Sequence, residues 1–244
     1  MSASDASIFE ELFLESNDQE RTADLKSGIV SIDYYEDILS PTVTAKVRVV
    51  NTGDSIAPKD PNDSEKTDGP RQSIYNGLPL RGGERVVIKI AGNSKYNDGL
   101  DFSEDPTQYF YVGSISNVSV DAEKEIFTLN LISREAITNQ TVRVGRKFPT
   151  SQTISDSVQD IIKDYLKSDK IGIIDQTQNK YGFIGNLKKP FNILVWLAAK
   201  AKPEKGTLPG YFFYQTREGF KFKAIDRLIE DGKKNPKATY EEIR

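Results

Sequence analysis

The stretch that decides the fold is Gln108–Ser133, which reads QYFYVGSISNVSVDAEKEIFTLNLIS. In its second half, apolar and polar residues alternate from Phe127 to Leu131, which is the period of a strand with one buried face. In its first half the apolar positions change phase at Gly113, a pattern typical of a β-bulge. The stretch therefore predicts a long antiparallel hairpin, whose turn is the polar run Asp121–Glu125.

Three further strands are predicted before this hairpin. The segments Ile29–Tyr35, Val43–Val49 and Glu84–Ala91 each alternate apolar and polar residues. The long run Asn51–Asn76 contains three prolines and five carboxylates and predicts a loop, either purely structural or in contact with a partner. Its carboxylate spacing does not match a calcium-binding EF-hand. With no helical pattern long enough for a crossover, this half is predicted to be an antiparallel β-sandwich or barrel.

The second half changes to a helical pattern. Thr153 is a suitable N-cap for a helix that extends to about Lys167, and a second helix is predicted to begin at Pro190. Aromatic residues over 211–225, with a turn at Arg217–Gly219, predict a hairpin. The fold class is therefore α+β, with the β-sandwich or barrel followed by a small helix–helix–hairpin module.

Charge supports a domain boundary near residue 140. Residues 1–140 hold 13 Lys and Arg against 24 Asp and Glu, a net charge of −11, whereas residues 141–244 hold 20 against 12, a net charge of +8. The predicted organisation is an N-terminal segment (1–28), a barrel (29–140), an α/β domain (141–230) and a C-terminal segment (231–244).

The composition excludes much chemistry. The chain contains no cysteine and no histidine, which removes disulfides, thiolate metal sites, Ser-His-Asp triads and most zinc sites. The pair Gly82-Gly83 lacks the other residues of a phosphate-binding motif. The sequence thus predicts no catalytic residue, no metal ligand set and no cofactor, and the single tryptophan, Trp196, is predicted to be a core residue of the second helix.

Two other functions stay open at this point. A peptidoglycan-degrading enzyme would need two carboxyl groups about 5–10 Å apart. The candidates are Glu123 with Glu125, or a set made of Asp101, Glu104 and Asp105. All five lie on predicted turns or loops, where solvated charge is the ordinary explanation.

The basic C-terminal half could alternatively bind nucleic acid. Its lysines, such as Lys163, Lys221 and Lys223, alternate with apolar residues, which is typical of solvated faces. No known nucleic-acid-binding motif accompanies them. We therefore expect no specific binding to nucleic acid. No apolar run approaches the roughly 20 residues of a membrane helix, so no membrane contact is expected either.

The order of several segments resembles a known family. They are LRGGERVVI (Leu80–Ile88), RKFPT (Arg146–Thr150), PFNILVWLA (Pro190–Ala198), GYFFY (Gly210–Tyr214) and EGFKF (Glu218–Phe222). Over about residues 28–230 the chain resembles the baseplate central hub of contractile-tailed bacteriophages. It is more distantly similar to the corresponding part of type VI secretion spike proteins.

The resemblance implies a structural adaptor of the virion, made in the host cytoplasm. Such hubs are homotrimers that join the sixfold tail tube to the threefold central spike. The implied partners are other copies of the chain, the spike, a tail-tube or tube-initiator protein and other baseplate proteins. Hub protomers normally carry two tube-like barrels, but this sequence predicts one, with residues 231–244 at the place where a second would begin.

Overall fold

The computed structural model describes residues 8–19, 21–53, 56, 73–78, 80–92, 99–104, 109–121, 124–206 and 208–234. These residues fall into two compact units. The first consists of Met1–Tyr35 and Thr44–Arg134, and the second of Glu36–Val43 and Glu135–Arg244. The first is built on an antiparallel sheet and the second mixes helices with short strands, so the predicted α+β class is confirmed.

The described strands of the first unit form one antiparallel sheet. They are β1 (Ile8–Glu15), β2 (Thr22–Asp24), β3 (Ile29–Tyr35), β4 (Thr44–Asn51), β5 (Arg85–Ala91), β6 (Leu100–Asp101), β7 (Phe110–Val120) and β8 (Glu125–Ser133), with the single helical turn α1 (Ile74–Gly77) before β5. Their order is β2-β1-β5-β7-β8-β4-β3, and β6 also pairs with β5. Strands β1 and β2 lie in the segment for which the sequence predicted no strand.

The predicted hairpin is the pair β7 and β8. Its register shifts between Val112 and Ser114, so the bulge predicted at Gly113 is confirmed. A second shift lies between Ser116 and Ser119, where Asn117 has a φ of 52°. Bulges increase local twist and bend the sheet.

This bending makes the sheet barrel-like. Tyr34 on β3 lies three strands away from Phe110 on β7 in the sheet order, yet their ring centroids are 6.3 Å apart. Tyr34 also lies 5.6 Å from the ring of Phe102, which follows β6. The concave face forms the core, and its fully buried side chains include Leu12, Leu14, Val47, Val49, Phe127 and Leu129.

Strand β3 departs from its predicted alternation at Val30. The sequence places Val30 on the same face as Ile32, but Val30 is 55% exposed. The register with β4 shifts between Ile29 and Ser31, so a bulge in β3 turns the Val30 side chain out of phase.

The second unit contains the helices α2 (Arg134–Thr141, whose first residue closes the first unit), α3 (Ile154–Asp164), α4 (Pro190–Ala198) and α5 (Ile225–Lys234). Its strands are β9 (Lys147–Phe148), β10 (Ile171–Ile174), β11 (Phe183–Ile184), β12 (Tyr211–Thr216) and β13 (Gly219–Ala224). They form the sheet β10-β13-β12 and the pair β11-β9. The predicted helices α3 and α4 and the hairpin β12–β13 are confirmed, whereas α2 and α5 were not predicted.

Helix α3 begins as the sequence indicates. Thr153 is its N-cap, and the Oγ1 atom of Thr153 accepts a hydrogen bond from the Asp156 backbone N–H at 3.2 Å. One stripe of the helix, including Val158, Ile161 and Ile162, is fully buried. None of the described helices is both long and apolar enough to cross a membrane.

The interpretation of Lys223 as a solvated side chain is wrong. Lys223 is 7% exposed, and its ammonium group pairs with Asp231 on α5. The hydrogen bond from Lys223 lowers the pKa of Asp231. Because α5 was not predicted, no element was expected to cover this side of β13.

A buried polar network lies within the second unit. The Ser168 hydroxyl donates to Glu135 Oε1 at 2.7 Å, and Gln215 Nε2 donates to Glu135 Oε2 at 3.3 Å. Gln215 Oε1 in turn accepts a hydrogen bond from the Val43 backbone N–H at 3.2 Å. All four residues are buried, so the network binds the 36–43 segment to the remainder of this unit.

Tyr211 gives the second unit a predictable response to alkaline pH. Its ring stacks on Phe222, and its hydroxyl donates to the Gln176 carbonyl at 2.9 Å. Burial, followed by the charges of Asp175 and Glu204, raises the pKa of Tyr211 to about 12. The folded state therefore favours the neutral phenol. Its stabilising contribution is complete below about pH 10, where an unfolded tyrosine ionises, and is lost as the pH rises towards 12.

We expect Tyr211→Phe to lose less stability than the parent chain between about pH 10 and 12, because phenylalanine cannot ionise. Urea unfolding at several pH values in this window measures the difference, with Tyr35→Phe at a 45% exposed position as the control. Equal losses in the parent and in Tyr211→Phe would contradict the assignment.

Candidate interaction surfaces

Glu125, one of the predicted catalytic candidates, is a buried structural residue. Its side chain is 2% exposed, so the expectation of solvated charge is wrong. Its Oε1 atom accepts hydrogen bonds from Asn51 Nδ2 at 3.0 Å and from the Tyr75 backbone N–H at 2.9 Å. Glu125 is buried because it pairs directly with Asn51 across β8 and β4 and also contacts α1. It therefore connects the two ends of the predicted loop 51–76.

Asp101 also has a local structural role. Its Oδ1 atom accepts hydrogen bonds from the Ser103 backbone N–H at 2.9 Å and hydroxyl at 2.7 Å, and Lys89 Nζ lies 3.6 Å from its other oxygen. The bonds from Ser103, more than Lys89, lower the pKa of Asp101. Glu104 is exposed, and most of the loop 51–76, together with Glu123 and Asp105, lies outside the described residues. In the part of the chain that the structure describes, no cluster of three or more acidic side chains could hold a metal ion.

Trp196 is not the core residue that the sequence predicted. It is 38% exposed and lies with Asn192 and Val195 on the solvent side of α4. The opposite side of the helix, which carries Leu194 and Leu197, is fully buried. The apolar residues of α4 cover nearly its whole circumference, and periodicity alone could not show which side faces the core.

The indole of Trp196 belongs to an aromatic cluster. Its centroid lies 5.6 Å from the rings of Tyr181 and Phe183, both in edge-to-face geometry. Phe183 in turn stacks on Phe148 at 4.4 Å. Lys200 Nζ lies 5.3 Å from the Trp196 ring and 5.7 Å from Tyr181, within the range of a cation–π interaction.

A tight turn beside the cluster presents a leucine to solvent. Leu187 is 69% exposed, although its φ of 55° lies in the left-handed region that a bulky residue seldom adopts. Asn186 before it has a φ of 50°. Val144 fixes the turn, since it accepts a hydrogen bond from Leu187 N–H at 2.9 Å and donates one to the Lys188 carbonyl at 3.0 Å.

We call the exposed set Ile184, Leu187, Val195 and Trp196 the apolar face. Each of these side chains is at least 38% exposed. A small pocket of about 140 Å³ is lined by two members of this face, Ile184 and Trp196, and also by Phe183, Asn186, Lys188 and Asn192. Exposed apolar side chains beside a pocket that also carries polar groups are typical of a binding site for another molecule.

The exposure of Trp196 changes the expected effect of its removal. We expect Trp196→Ala to destabilise the second unit by about 1–3 kcal/mol, since it loses two edge-to-face ring contacts worth roughly 0.5–1.5 kcal/mol each. A fully buried tryptophan would cost about 3–5 kcal/mol. Urea unfolding followed by circular dichroism measures the change, and a cost in the higher range would show that the ring is buried in solution.

Comparison with known proteins gives a fold match and no sequence match. No protein family and no curated protein matches the sequence. Among solved structures, the 43 kDa tail protein of prophage MuSo2 from Shewanella oneidensis has a TM-score of 0.50 and 13% identity, and the match covers 88% of this chain and 52% of that protein. The chain has a phage tail protein fold.

Two further structures are similar at lower scores. A tail protein from Neisseria meningitidis MC58 matches with a TM-score of 0.46 and 10% identity, over 86% of this chain and 48% of that protein. A type VI secretion component from Escherichia coli matches with a TM-score of 0.44 and 9% identity, over 92% of this chain and 46% of that protein. The chain thus spans about half the length of the solved proteins that it matches.

The resemblance predicted from the order of sequence segments is therefore confirmed for the fold. The match to the Shewanella tail protein covers a larger share of the chain than either compact unit alone. The likeness consequently includes parts of both the barrel-like sheet and the helix-rich second unit.

Proposed function

We propose that this chain is a structural component of a phage tail, located in the central hub of the baseplate and without a catalytic role. The fold shared with the Shewanella tail protein over 88% of the chain is the observation that carries the proposal. In this role the chain forms a homotrimer that joins the sixfold tail tube to the threefold central spike. It also contacts a tube-initiator protein or other baseplate proteins, and it resides in the virion.

Symmetry gives this proposal a specific consequence. The described residues contain one barrel-like sheet, so three copies supply three of the six positions that a sixfold tube requires. The other three positions would have to come from additional chain or from another protein.

Exposed apolar side chains on the first unit support an assembly role. Val30 and Tyr35 on β3 are 55% and 45% exposed, and Val118 and Val120 on β7 are 43% and 57% exposed. β3 ends the sheet order, and neighbouring chains often associate at such sheet edges. Permanent interfaces of this kind commonly bury more than about 2,000 Å².

The test uses tail particles purified from a phage that carries this gene. We expect the chain to copurify with tails, at about three copies per particle by quantitative mass spectrometry, and gold-labelled antibody to mark the baseplate end. Labelling along the whole tail, or loss of the chain from purified particles, would contradict the proposal.

A matched pair of variants separates assembly from folding. Val30→Asp places a charge on an exposed apolar position, and Ser31→Asp places the same charge at the next residue, which is polar. We expect both variants to keep the parent melting temperature and Val30→Asp alone to lower incorporation into tails. Peptidoglycan incubated with the purified chain is expected to release no reducing ends, and release that depends on Asp101 or Glu104 would overturn the non-catalytic assignment.

A further inference from the structure

We propose that the apolar face binds an acidic segment of another protein, which inserts one large apolar side chain into the pocket beside Trp196. This inference rests on the second unit alone and does not depend on the proposed role in a phage tail.

The apolar face belongs to a run of the sequence that contains lysines and no carboxylates. Residues 176–203 contain five lysines and no aspartate or glutamate, and this run includes all four members of the face. Lys188 lines the pocket, and Lys200 lies over the Trp196 ring. Arg146 lies on Phe148 and pairs with both Asp160 and Asp164, so these three side chains together contribute one net negative charge beside the aromatic cluster. Lysines around an apolar centre favour a partner with carboxylates around an apolar anchor.

The size of the pocket limits the anchor to one side chain. Its volume of about 140 Å³ is close to that of an apolar cavity of roughly 150 Å³ that holds a benzene molecule. A phenylalanine or leucine side chain is of this size. The Asn186 and Asn192 amides at the pocket can pair with the backbone of the inserted segment. A single buried anchor surrounded by polar groups is how binding energy is commonly concentrated in protein interfaces.

The face is already held in a binding geometry. The two hydrogen bonds to Val144 fix the turn that carries Leu187, and the left-handed backbone directs this side chain outward. A Cβ atom at Gly185 would lie 2.3 Å from the Val144 carbonyl oxygen, so only glycine permits this close approach. Strained residues persist where the surrounding structure enforces them, and a fixed surface loses little entropy on binding.

The same charges disfavour a second copy as the occupant. Two apolar faces that met each other would bring Lys188 and Lys200 of one copy against those of the other, and like charges in an interface are repulsive. A different protein with a carboxylate-rich segment avoids this cost.

Trp196 provides a reporter for the test, because it is the only tryptophan in the chain. The probes are three short synthetic peptides without tryptophan: an acidic peptide with a central phenylalanine, the same peptide with alanine at the centre, and a basic peptide with the central phenylalanine. We expect the acidic phenylalanine peptide to shift Trp196 emission to shorter wavelength and to protect it from acrylamide. The other two should bind at least about tenfold more weakly, since loss of one anchor or of charge complementarity costs about 1.4 kcal/mol or more.

Variants locate the binding to this face. Leu187→Ser and Lys188→Glu are each expected to weaken binding of the acidic peptide about tenfold. Leu39→Ser, at a 74% exposed leucine elsewhere, and Lys163→Glu, at an exposed lysine on α3, should leave it unchanged. Equal binding of the three peptides, no change in emission, or equal effects of test and control variants would overturn the proposal. A Trp196 emission that changes on dilution of the chain alone would show that a second copy is the occupant, and would also overturn it.

Discussion

Replacing Glu135 by alanine is expected to lower the free energy of unfolding of the second unit by about 2–4 kcal/mol. The Glu135 carboxylate accepts hydrogen bonds from Ser168 and Gln215, and these two side chains are 1% and 5% exposed. Alanine would leave both donors buried without an acceptor, and each such group costs roughly 1–3 kcal/mol. Gln215 would also be less well placed to accept from Val43.

Glu135→Gln is the matched control. Its amide oxygen can accept from Gln215, and its amide nitrogen can donate to the Ser168 hydroxyl, so the network keeps both contacts with one reversed. We expect a loss of less than about 1 kcal/mol. Urea unfolding measures both variants, and amide hydrogen exchange shows whether Val43 and its neighbours open together with the second unit. If alanine and glutamine had equal effects, the network would not be the source of the stability.

The parts of the fold that follow from local pattern could be predicted from the sequence. The period-two alternation of β8 and the phase change at Gly113 predicted both the hairpin and its bulge, because a half-buried strand requires one residue type on each face. Thr153 and Pro190 likewise marked the first turns of α3 and α4. These features depend on residues close together in the chain.

The errors arose where a distant element decides the environment. Lys223 alternates with apolar residues as a solvated lysine does, but α5 covers it. Glu125 follows a polar turn as a solvated carboxylate does, but Asn51 and Tyr75 bury it. Val30 has the correct parity for the core, and a bulge displaces it. In each case the exposure of the side chain depends on tertiary structure that the neighbouring sequence does not indicate.

The apolar face was not predicted from the sequence. The carboxylate-free run 176–203 and its aromatic residues are visible in the sequence. The side of α4 that carries Trp196 was not visible, because the helix is apolar all round. The left-handed backbone conformation of Leu187 could not be predicted either, since leucine has no preference for that region. The sequence analysis interpreted the lysines of this half as solvated faces and placed Trp196 in the core, so recognising this surface required the structure.

The second large effect is expected from Glu125→Ala in the first unit, at about 2–4 kcal/mol. Alanine removes the common acceptor of Asn51 Nδ2 and the Tyr75 backbone N–H, and it leaves space beside a strand that pairs along its whole length. Because those two donors stand at the two ends of the 51–76 run, we also expect faster proteolysis within that run. Limited proteolysis with mapping of the cleavage sites measures this change separately from global unfolding.

Glu125→Gln distinguishes the hydrogen bonds from the charge. Glu125 Oε1 accepts both hydrogen bonds, whereas its buried Oε2 atom has no hydrogen-bond partner among the residues that the structure describes. In Glu125→Gln, the amide oxygen can take the place of Oε1, and the uncharged amide nitrogen can take the place of Oε2. The substitution thereby retains both bonds and removes a buried charge that is expensive to desolvate. We therefore expect Glu125→Gln to be at least as stable as the parent and to resist protease equally well. A loss as large as that of alanine would mean that the negative charge itself, through a contact of Oε2 in solution, holds the ends of the 51–76 run.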